Sequence, residues 1–217
     1  MATTLSRSQF DQACKAYVDP HPNARLSEIK RNPSGWVWSE HPYIANLGYL
    51  SRTVHLPPNA AHFADPDDGD SLVELVAEDD DATLDTSGEL LTCKQCIVLS
   101  ATFEVPTFYF TLHDASGSPL SLEEIMKSSL FRPHTLPSAD GNTFAVTLPE
   151  SSFALLSQGD HPTLGTPSWY FHPCHTADVV GEILAEIGAG REDGLRWLEA
   201  WFMVMGNIVD FFAGSVA

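Results

Sequence analysis

Apolar side chains in the first half of the chain recur with two different spacings. Between Leu5 and Val18 they follow the helical period, which predicts an amphipathic helix with Cys14 on its core side. Further along, apolar and polar residues alternate, which predicts strands with one wet face. We expect two such strands, around Trp36 and Trp38 and over residues 49–56, and two more strands over 90–99 and 102–112, of which the second is the most apolar.

The second half changes from alternation to helical spacing. Ser121 is placed to cap a short helix whose acidic residues lie in its first turn. A proline-rich connection over 132–141 follows, then a short helical turn over 152–158 and an extended aromatic segment over 166–173. Two amphipathic helices are predicted near the end of the chain, over 176–188 and 193–214.

This order of elements predicts the fold class. A helix followed by strands and then by helices is typical of an α+β fold. We therefore expect a single domain over residues 1–217, in which a four-stranded antiparallel sheet is flanked by helices packed on one of its faces.

Acidic residues dominate the charge of this chain. Its 29 Asp and Glu residues against 11 Lys and Arg residues give a formal charge of −18. This argues against nucleic acid or anionic membranes as partners, because binding to them requires clustered Lys and Arg. Eleven acids and no base lie between Asp65 and Glu89, which predicts a solvated acidic loop inserted at about 64–89. The alternative is a loop that docks a basic partner.

The sequence predicts a cytoplasmic protein. Its first ten residues lack the apolar segment of a secretory signal, and the apolar stretch over 197–212 is interrupted by Glu199, Asn207 and Asp210. Four cysteines are too few for a disulfide-stapled secreted domain of this length. We therefore expect free thiols in a reducing compartment.

Cys93 and Cys96 form a Cys-x-x-Cys pair, a spacing found in zinc ribbons and redox enzymes. Zinc needs four ligands, and the sequence holds no second pair. Residues three apart in a strand also point to opposite faces of the sheet. We expect two ordinary strand cysteines here.

A second grouping of possible metal ligands consists of His161, His172, His175 and Cys174. Nitrogen and sulfur ligands in so short a span could form a zinc site. Prolines follow His161 and His172, however, and impose stiff geometry that keeps the imidazoles apart. We expect loop histidines without a metal.

Cys174 is set apart by its position in the chain. It follows an aromatic extended segment and His172-Pro173, and it precedes a helix that Thr176 is placed to cap. The positive end of the helix dipole and its free backbone N–H groups stabilise a thiolate there. One alternative is a buried packing cysteine. Another is a cysteine hydrolase, with Asp160-His161 or His172 as its further catalytic groups.

The segment around Cys174 resembles the active-site region of the autophagy E2-like conjugating enzymes. It runs from Gln158 to Thr176, carries a His-Pro-Cys-x-Thr motif after an aromatic strand, and is followed by a Trp-rich helix. Residues 97–125 are similar to the central strands and following helix of that family, whereas the first 60 residues match only loosely. The acidic segment corresponds to a variable loop. The resemblance implies an E2-like fold, with a four-stranded antiparallel sheet flanked by helices.

The resemblance also implies an activity. Cys174 would take a ubiquitin-like modifier from an E1-like activating enzyme as a thioester, then transfer it to a lysine of an acceptor protein, forming an isopeptide bond. The branch that this chain resembles most joins the modifier autophagy-related protein twelve to the acceptor autophagy-related protein five. The lipid-conjugation branch, which shares the His-Pro-Cys motif, is the alternative. No metal, nucleotide or other cofactor is implied on this chain.

The residues implied as support for the cysteine loop are His172, Pro173, His175 and Thr176. Thr176 and the N–H groups of the helix start would hold the developing oxyanion. Ordinary E2 enzymes use an Asn shortly before the cysteine for this task. Since that residue is missing here, Asn142, a backbone group or the hydroxyl of Tyr170 must substitute. A further alternative for the whole chain is a non-catalytic domain that acts through its acidic loop.

Overall fold

The helix predicted near the start of the chain is present. A computed structural model describes residues 4–18, 35–57, 90–136, 144–147, 154–186 and 194–216. Helix α1 spans Arg7–Val18 and buries Phe10, Ala13 and Cys14, because these positions share one face of a helix. The prediction of an amphipathic helix with an inward-facing Cys14 is confirmed.

The predicted strands of the first half form a meander. Strand β1 spans Val37–Glu40, β2 Gly48–Leu56, β3 Leu91–Leu99 and β4 Pro106–His113, and each pairs antiparallel with the next. Strand β4 begins later than predicted, because Ser100 and Val105 close the turn after β3 with a hydrogen bond of 2.9 Å.

A short helix follows the meander at the predicted place. Helix α2 spans Leu122–Met126 and is preceded by Ser121, whose side chain accepts a hydrogen bond from the N–H of Glu124. The Glu124 carboxylate accepts one from the N–H of Ser121 in return, which completes a capping box.

The third part of the chain contains three further strands. Strand β5 spans Ala145–Thr147, β6 Ala154–Asp160 and β7 Pro167–Phe171. The predicted helical turn over 152–158 is wrong, since its described residues belong to β6. A short apolar run fits a helix or a strand equally well, and pairing with β7, for example Leu156 with Phe171, selects the strand. The extended aromatic segment is confirmed as β7.

Two helices close the chain, and the second is shorter than predicted. Helix α3 spans Thr176–Glu186, α4 spans Gly194–Met205, and a last strand, β8, spans Ser215–Val216. After Gly206 the backbone turns towards residues 130–132, where the N–H of Asp210 donates to the carbonyl oxygen of Leu130 at 2.8 Å. Glycine is a poor helix former. After one further turn, in which the N–H of Val209 donates to the carbonyl oxygen of Met205 at 2.8 Å, the bond of Asp210 to Leu130 replaces continuation of the helix.

The sheet is larger than the four strands expected. Seven strands follow the order β1-β2-β3-β4-β7-β6-β5, and β8 pairs with β2 off this path. All the strand pairs are antiparallel. The combination of helices with an antiparallel sheet is as predicted. The count is wrong because four further strands join the sheet: β7, which was expected only as an extended segment, and β5, β6 and β8, which have no clear alternating pattern of their own.

The helices pack on one face of this sheet, as predicted. Buried side chains of all four described helices belong to one apolar cluster with the inward residues of the strands, among them Phe10, Ile125, Leu184 and Trp201. A small second cluster of Tyr49, Cys96 and Val98 lies on the opposite face.

The predicted acidic loop at about 64–89 lies outside the described residues, as does most of the proline-rich connection. Among the helices of the described part, none is both long and apolar enough to cross a membrane.

Candidate active site

Cys174 lies in the turn that joins β7 to α3. The N–H of His172 donates to the carbonyl oxygen of Leu155 at 2.9 Å, which ties the exit of β7 to β6. The N–H of Thr176 donates to the carbonyl oxygen of Pro173 at 3.1 Å and closes the turn around the cysteine. Pro173 is buried, whereas Cys174 is only half-buried. The turn is therefore fixed at both ends, and its cysteine retains access to solvent.

The start of α3 differs by one residue from the prediction. The N–H of Val179 donates to the carbonyl oxygen of His175 at 3.3 Å, so His175 holds the capping position and Thr176 is the first helical residue. The expectation that Thr176 caps the helix is wrong, because the turn closed on Pro173 brings the chain into the helix one residue earlier. The N–H of Thr176 is engaged in that turn.

His172 supports the backbone of the cysteine loop. Its Nδ1 accepts a hydrogen bond from the N–H of Cys174 at 3.3 Å. Its ring packs edge-on against Phe103, with 5.3 Å between the ring centroids. Burial, and secondarily the charge of His175, hold the pKa of His172 below its ordinary value. A neutral imidazole keeps Nδ1 available as the acceptor of this hydrogen bond.

An apolar pocket of about 160 Å³ opens beside the cysteine. The floor is formed by β4 and β7, and the sides by β6, α3 and α4. The four residues expected to support the loop all line the pocket together with Cys174. The complete lining is Pro106, Thr107, Phe108, Ala154, Leu155, Phe171, His172, Pro173, Cys174, His175, Thr176, Val179, Trp201, Val204, Met205 and Ile208.

The four thiols of the chain, all within the described residues, are free and differ in access to solvent. Cys14, Cys93 and Cys96 are buried, and Cys174 is not. Burial raises the pKa of Cys14, that of Cys93 to about 12 and that of Cys96 to about 11. Three of the thiols are therefore poor nucleophiles in the folded protein, which leaves Cys174 as the accessible one.

The Cys-x-x-Cys pair is divided between the two faces of β3. Cys93 belongs to the cluster beneath the helices, and Cys96 to the small cluster on the opposite face. The strand geometry therefore separates the two sulfur atoms, as the alternation of side chains predicted.

His161 is not brought to the cysteine. It is 2% exposed and packs between Tyr49 and Tyr109, with ring centroids 5.1 and 5.4 Å away. Its Nδ1 accepts hydrogen bonds from the N–H groups of Thr163 and Leu164, which hold the β6–β7 loop. It does not line the pocket, so it does not serve Cys174 as a base. Across the described residues no three His, Cys, Asp or Glu side chains are grouped to hold a metal ion.

The two side chains considered as replacements for the usual E2 asparagine lie elsewhere. Asn142 falls outside the described residues. Tyr170 stacks on Tyr109, with 5.3 Å between ring centroids, and is not part of the pocket lining. Its strand neighbour Phe171 lines the pocket, which puts the Tyr170 side chain on the other face of the sheet.

Sequence reasoning missed the far wall of the pocket. Trp201, Val204, Met205 and Ile208 come from α4 and the turn after it, and Ala154 and Leu155 come from β6. The Trp-rich pattern of α4 indicated a buried helix face, and no sequence signal indicated that part of this face lies beside Cys174.

Comparison with known proteins adds a family to this geometry. Residues 9–214 match the family described as autophagocytosis associated protein, active-site domain.

Three relatives are each named ubiquitin-like-conjugating enzyme ATG10. The Arabidopsis thaliana protein is 31% identical over 116 residues, which are 52% of this chain and 46% of the relative. The Homo sapiens protein is 22% identical over 182 residues, which are 81% of this chain and 73% of the relative. The Dictyostelium discoideum protein is 25% identical over 122 residues. The match therefore spans about half of the plant and Dictyostelium relatives, which it covers to 46% and 48%.

Proposed function

This chain belongs to the family of autophagocytosis-associated proteins that share this active-site domain, and on that premise we propose that it is an E2-like conjugating enzyme. It accepts a ubiquitin-like modifier from an E1-like activating enzyme as a thioester on Cys174. It then transfers the modifier to a lysine of an acceptor protein. The relatives' name, ubiquitin-like-conjugating enzyme, supports this assignment.

The observation that carries the proposal is the contrast among the four thiols. Cys14, Cys93 and Cys96 are buried with raised pKa values, whereas Cys174 is half-buried in a fixed turn before α3. A carrier thiol must meet the thioester of another protein and later the amine of an acceptor. Among the four cysteines, all of which the structure describes, this requirement fits Cys174.

The proposed reaction is two successive acyl transfers. The Cys174 thiolate attacks the carbonyl carbon of the E1 thioester, a new C–S bond forms, and the bond to the E1 cysteine breaks with release of its thiolate. A lysine amine then attacks the same carbonyl carbon, the C–N bond forms, and the Cys174 thiolate leaves. The neutral amine releases one proton to solvent and keeps the other as the amide N–H, and no oxidation or reduction occurs. ATP is consumed upstream, at the E1-like enzyme.

The neighbours of Cys174 have distinct proposed tasks in this reaction. His172 and Pro173 hold the loop backbone, and His175 begins α3. Thr176 lines the pocket, and with its N–H already bonded to Pro173 its hydroxyl is the group left to donate to the oxyanion. In this scheme the Thr176 hydroxyl replaces the asparagine of ordinary E2 enzymes.

The finer identity of the partners and the compartment rests on the resemblance of the Cys174 segment. We assign autophagy-related protein twelve as the modifier and autophagy-related protein five as the acceptor, with the reaction taking place in the cytoplasm. Assaying each autophagy modifier separately tests this assignment of partners beyond the general assignment as a conjugating enzyme.

The test is a thioester assay with E1-like enzyme, modifier and ATP, read on gels with and without reductant. Wild-type protein is expected to form a reductant-sensitive adduct. Cys174→Ala abolishes this adduct, and Cys174→Ser converts it to a reductant-resistant oxyester. Cys96→Ala is the matched control, because it removes a buried thiol and leaves the loop intact.

Two results would contradict the proposal. One is an adduct that persists in Cys174→Ala. The other is a charged E1-like enzyme that gives no adduct on wild-type protein with either autophagy modifier. Thermal unfolding followed by circular dichroism establishes that each variant is folded.

A further inference from the structure

The wall of the pocket beside Cys174 selects for apolar ligands. Phe108 and Phe171 form the floor, and Trp201, Met205 and other apolar residues form the sides. None of the lining residues, all of them described, is Asp, Glu, Lys or Arg. A charged group entering the pocket would lose its hydration and would meet no Asp, Glu, Lys or Arg side chain there, whereas an apolar group would be transferred from water to an apolar surface at no such cost.

The size of the pocket limits the ligand to a single side chain. Its volume of about 160 Å³ is close to that of an apolar protein cavity of roughly 150 Å³ that admits one benzene molecule. A Leu, Ile, Met or Phe side chain therefore fits, and a helix or strand does not.

The position of Cys174 in the wall indicates where such a side chain comes from. A thioester joins the last residue of an acyl donor directly to Sγ of this cysteine. The Cα atom of the preceding residue then lies only about 3.8 Å from that of the last one. The side chain of that preceding residue consequently starts one residue away from the thioester bond, and Cys174, which carries this bond, lines the pocket. An acyl group on Cys174 thus brings this segment to the pocket in every catalytic cycle.

We propose that the pocket binds the side chain of the residue directly before the C-terminal residue of the modifier, and that this residue is apolar. The inference rests on the proposed carrier function and adds a determinant of specificity to it. The pocket anchors the tail on one side of the thioester bond and so orients its carbonyl group. Loss of a well-buried apolar group costs roughly tenfold or more in transfer rate. An acidic residue at that position of the tail is rejected more strongly, because its carboxylate would lose its hydration against Phe108, Phe171 and Trp201.

The first experiment measures single-turnover transfer from a pre-charged E1-like enzyme, so that activation of the modifier does not limit the rate. Modifier tails with Leu, Phe, Ala or Asp before the last residue are compared. Leu and Phe tails are expected to transfer at least tenfold faster than the Ala tail, and the Asp tail slowest of all. Equal rates for all four tails would overturn the inference while leaving the carrier function in place.

Filling the pocket tests whether the preference arises there. Ala154 lines the pocket on β6 and is half-buried, so Ala154→Phe occupies part of the volume without touching the cysteine loop sequence. This variant is expected to slow the Leu and Phe tails about tenfold and the Ala tail little, a non-additive result that indicates direct contact. Met203→Phe is the control, because Met203 is 65% exposed on α4 and outside the lining. Equal slowing of every tail by Ala154→Phe would overturn the inference.

A binding measurement separates the inference from the proposed function. Short peptides with Leu or Ala directly before a C-terminal Gly, chosen as the smallest last residue, are added to protein with labelled methionine methyl groups. The Met205 resonance is expected to shift with the Leu peptide and not with the Ala peptide, and the shift disappears in Ala154→Phe. A shift without any thioester adduct would refute the carrier function and retain the pocket. The absence of a shift at millimolar peptide, with adduct formation intact, would refute the pocket and retain the carrier.

Discussion

The backbone N–H of Cys174 donates a hydrogen bond to Nδ1 of His172 at 3.3 Å. The imidazole two residues before the thiol is thus committed to the loop that presents the thiol. The ring of Phe103 also packs edge-on against this imidazole, at 5.3 Å between centroids. This arrangement suits a carrier, in which the incoming amine and the thioester react while the loop keeps its shape.

Replacing His172 tests this role. In His172→Ala the N–H of Cys174 loses its acceptor, and we expect thioester transfer to slow about tenfold, consistent with roughly 1–3 kcal/mol for an unmade hydrogen bond. In His172→Asn the amide oxygen can accept the N–H two residues on, as in an Asx turn, and should restore most of the rate. Single-turnover transfer at pH 7 is the measurement. A loss in His172→Ala as complete as in Cys174→Ala, without rescue by Asn, would place His172 in the chemistry itself.

His161 makes the stability of the fold depend on pH. Burial lowers its pKa from 6.5 to about 4, so between these values the unfolded chain holds a proton that the folded chain does not. The free energy of unfolding is therefore highest above pH 6.5 and falls as the pH decreases. We expect about 2 kcal/mol less at pH 5 than at pH 7.5, since each pKa unit corresponds to about 1.4 kcal/mol.

Urea unfolding at the two pH values checks this expectation. His161→Asn is the control, because its amide oxygen can accept the same loop N–H groups and it does not titrate. For each protein, the free energy of unfolding at pH 5 is subtracted from that at pH 7.5. The carboxylates titrate in both proteins, so the amount by which the wild-type difference exceeds that of the variant is the contribution of His161. Equal differences in the two proteins would contradict the assignment.

Arg52 ties β2 to the C-terminal segment from within the core. It is 5% exposed, donates from Nε to the Gln95 side-chain oxygen at 2.8 Å and from Nη2 to the carbonyl oxygen of Phe211 at 2.9 Å. Its guanidinium lies over the ring of Trp36 at 4.5 Å. Arg52→Met leaves both oxygen acceptors buried without this donor, and we expect a loss of about 2–4 kcal/mol in the free energy of unfolding.

The matched control for Arg52→Met is Lys94→Met, which removes an exposed cation from the neighbouring strand β3. Its effect is expected to stay within about 0.5 kcal/mol. Both values come from urea unfolding at pH 7. Similar small effects of the two substitutions would show that the buried hydrogen bonds of Arg52 contribute little.

Gly48 is required by a close approach of the Trp38 ring. A β-carbon at position 48 would overlap the six-membered ring of Trp38. The indole Nε1–H of Trp38 donates a hydrogen bond to the Glu40 carboxylate, and the Lys15 ammonium lies over the ring. Gly48→Ala is therefore expected to displace the indole and to cost about 1–3 kcal/mol. Chemical unfolding measures the cost. The double variant Trp38→Leu, Gly48→Ala should lose less than the sum of the single changes, and strict additivity would contradict the contact.

The elements that the sequence predicted well carry their own local signals. Helix α1 has regular apolar spacing, much of β2 and β4 alternates, β3 is a run rich in apolar and β-branched residues, and α2 begins at a capping box around Ser121. The segment that became β6 has no such signal, because Leu155 and Leu156 are adjacent and flanked by small or polar residues. Its conformation is decided by pairing with β7, which is a long-range property that a local pattern does not contain.

The candidate site was likewise predicted in part from the sequence. The His-Pro-Cys motif and the following helix identified the loop around Cys174 without a structure. The opposing wall from α4 did not follow from the motif, since Trp201 and Met205 meet Cys174 only when helices and sheet pack together. Tyr170, considered as an oxyanion donor, lies on the wrong face because side chains alternate along β7.

The three buried cysteines give this protein internal reporters of local opening. Cys14 lies on the core-facing side of α1, Cys93 lies on the face of the sheet that the helices cover, and Cys96 lies on the opposite face with Tyr49 and Leu164. A thiol reagent reacts with each of them only when its own cover lifts, so three alkylation rates measure three separate opening equilibria. Once Cys174 is replaced by serine, one alkylation time course followed by mass spectrometry would map which layer of the native protein yields first.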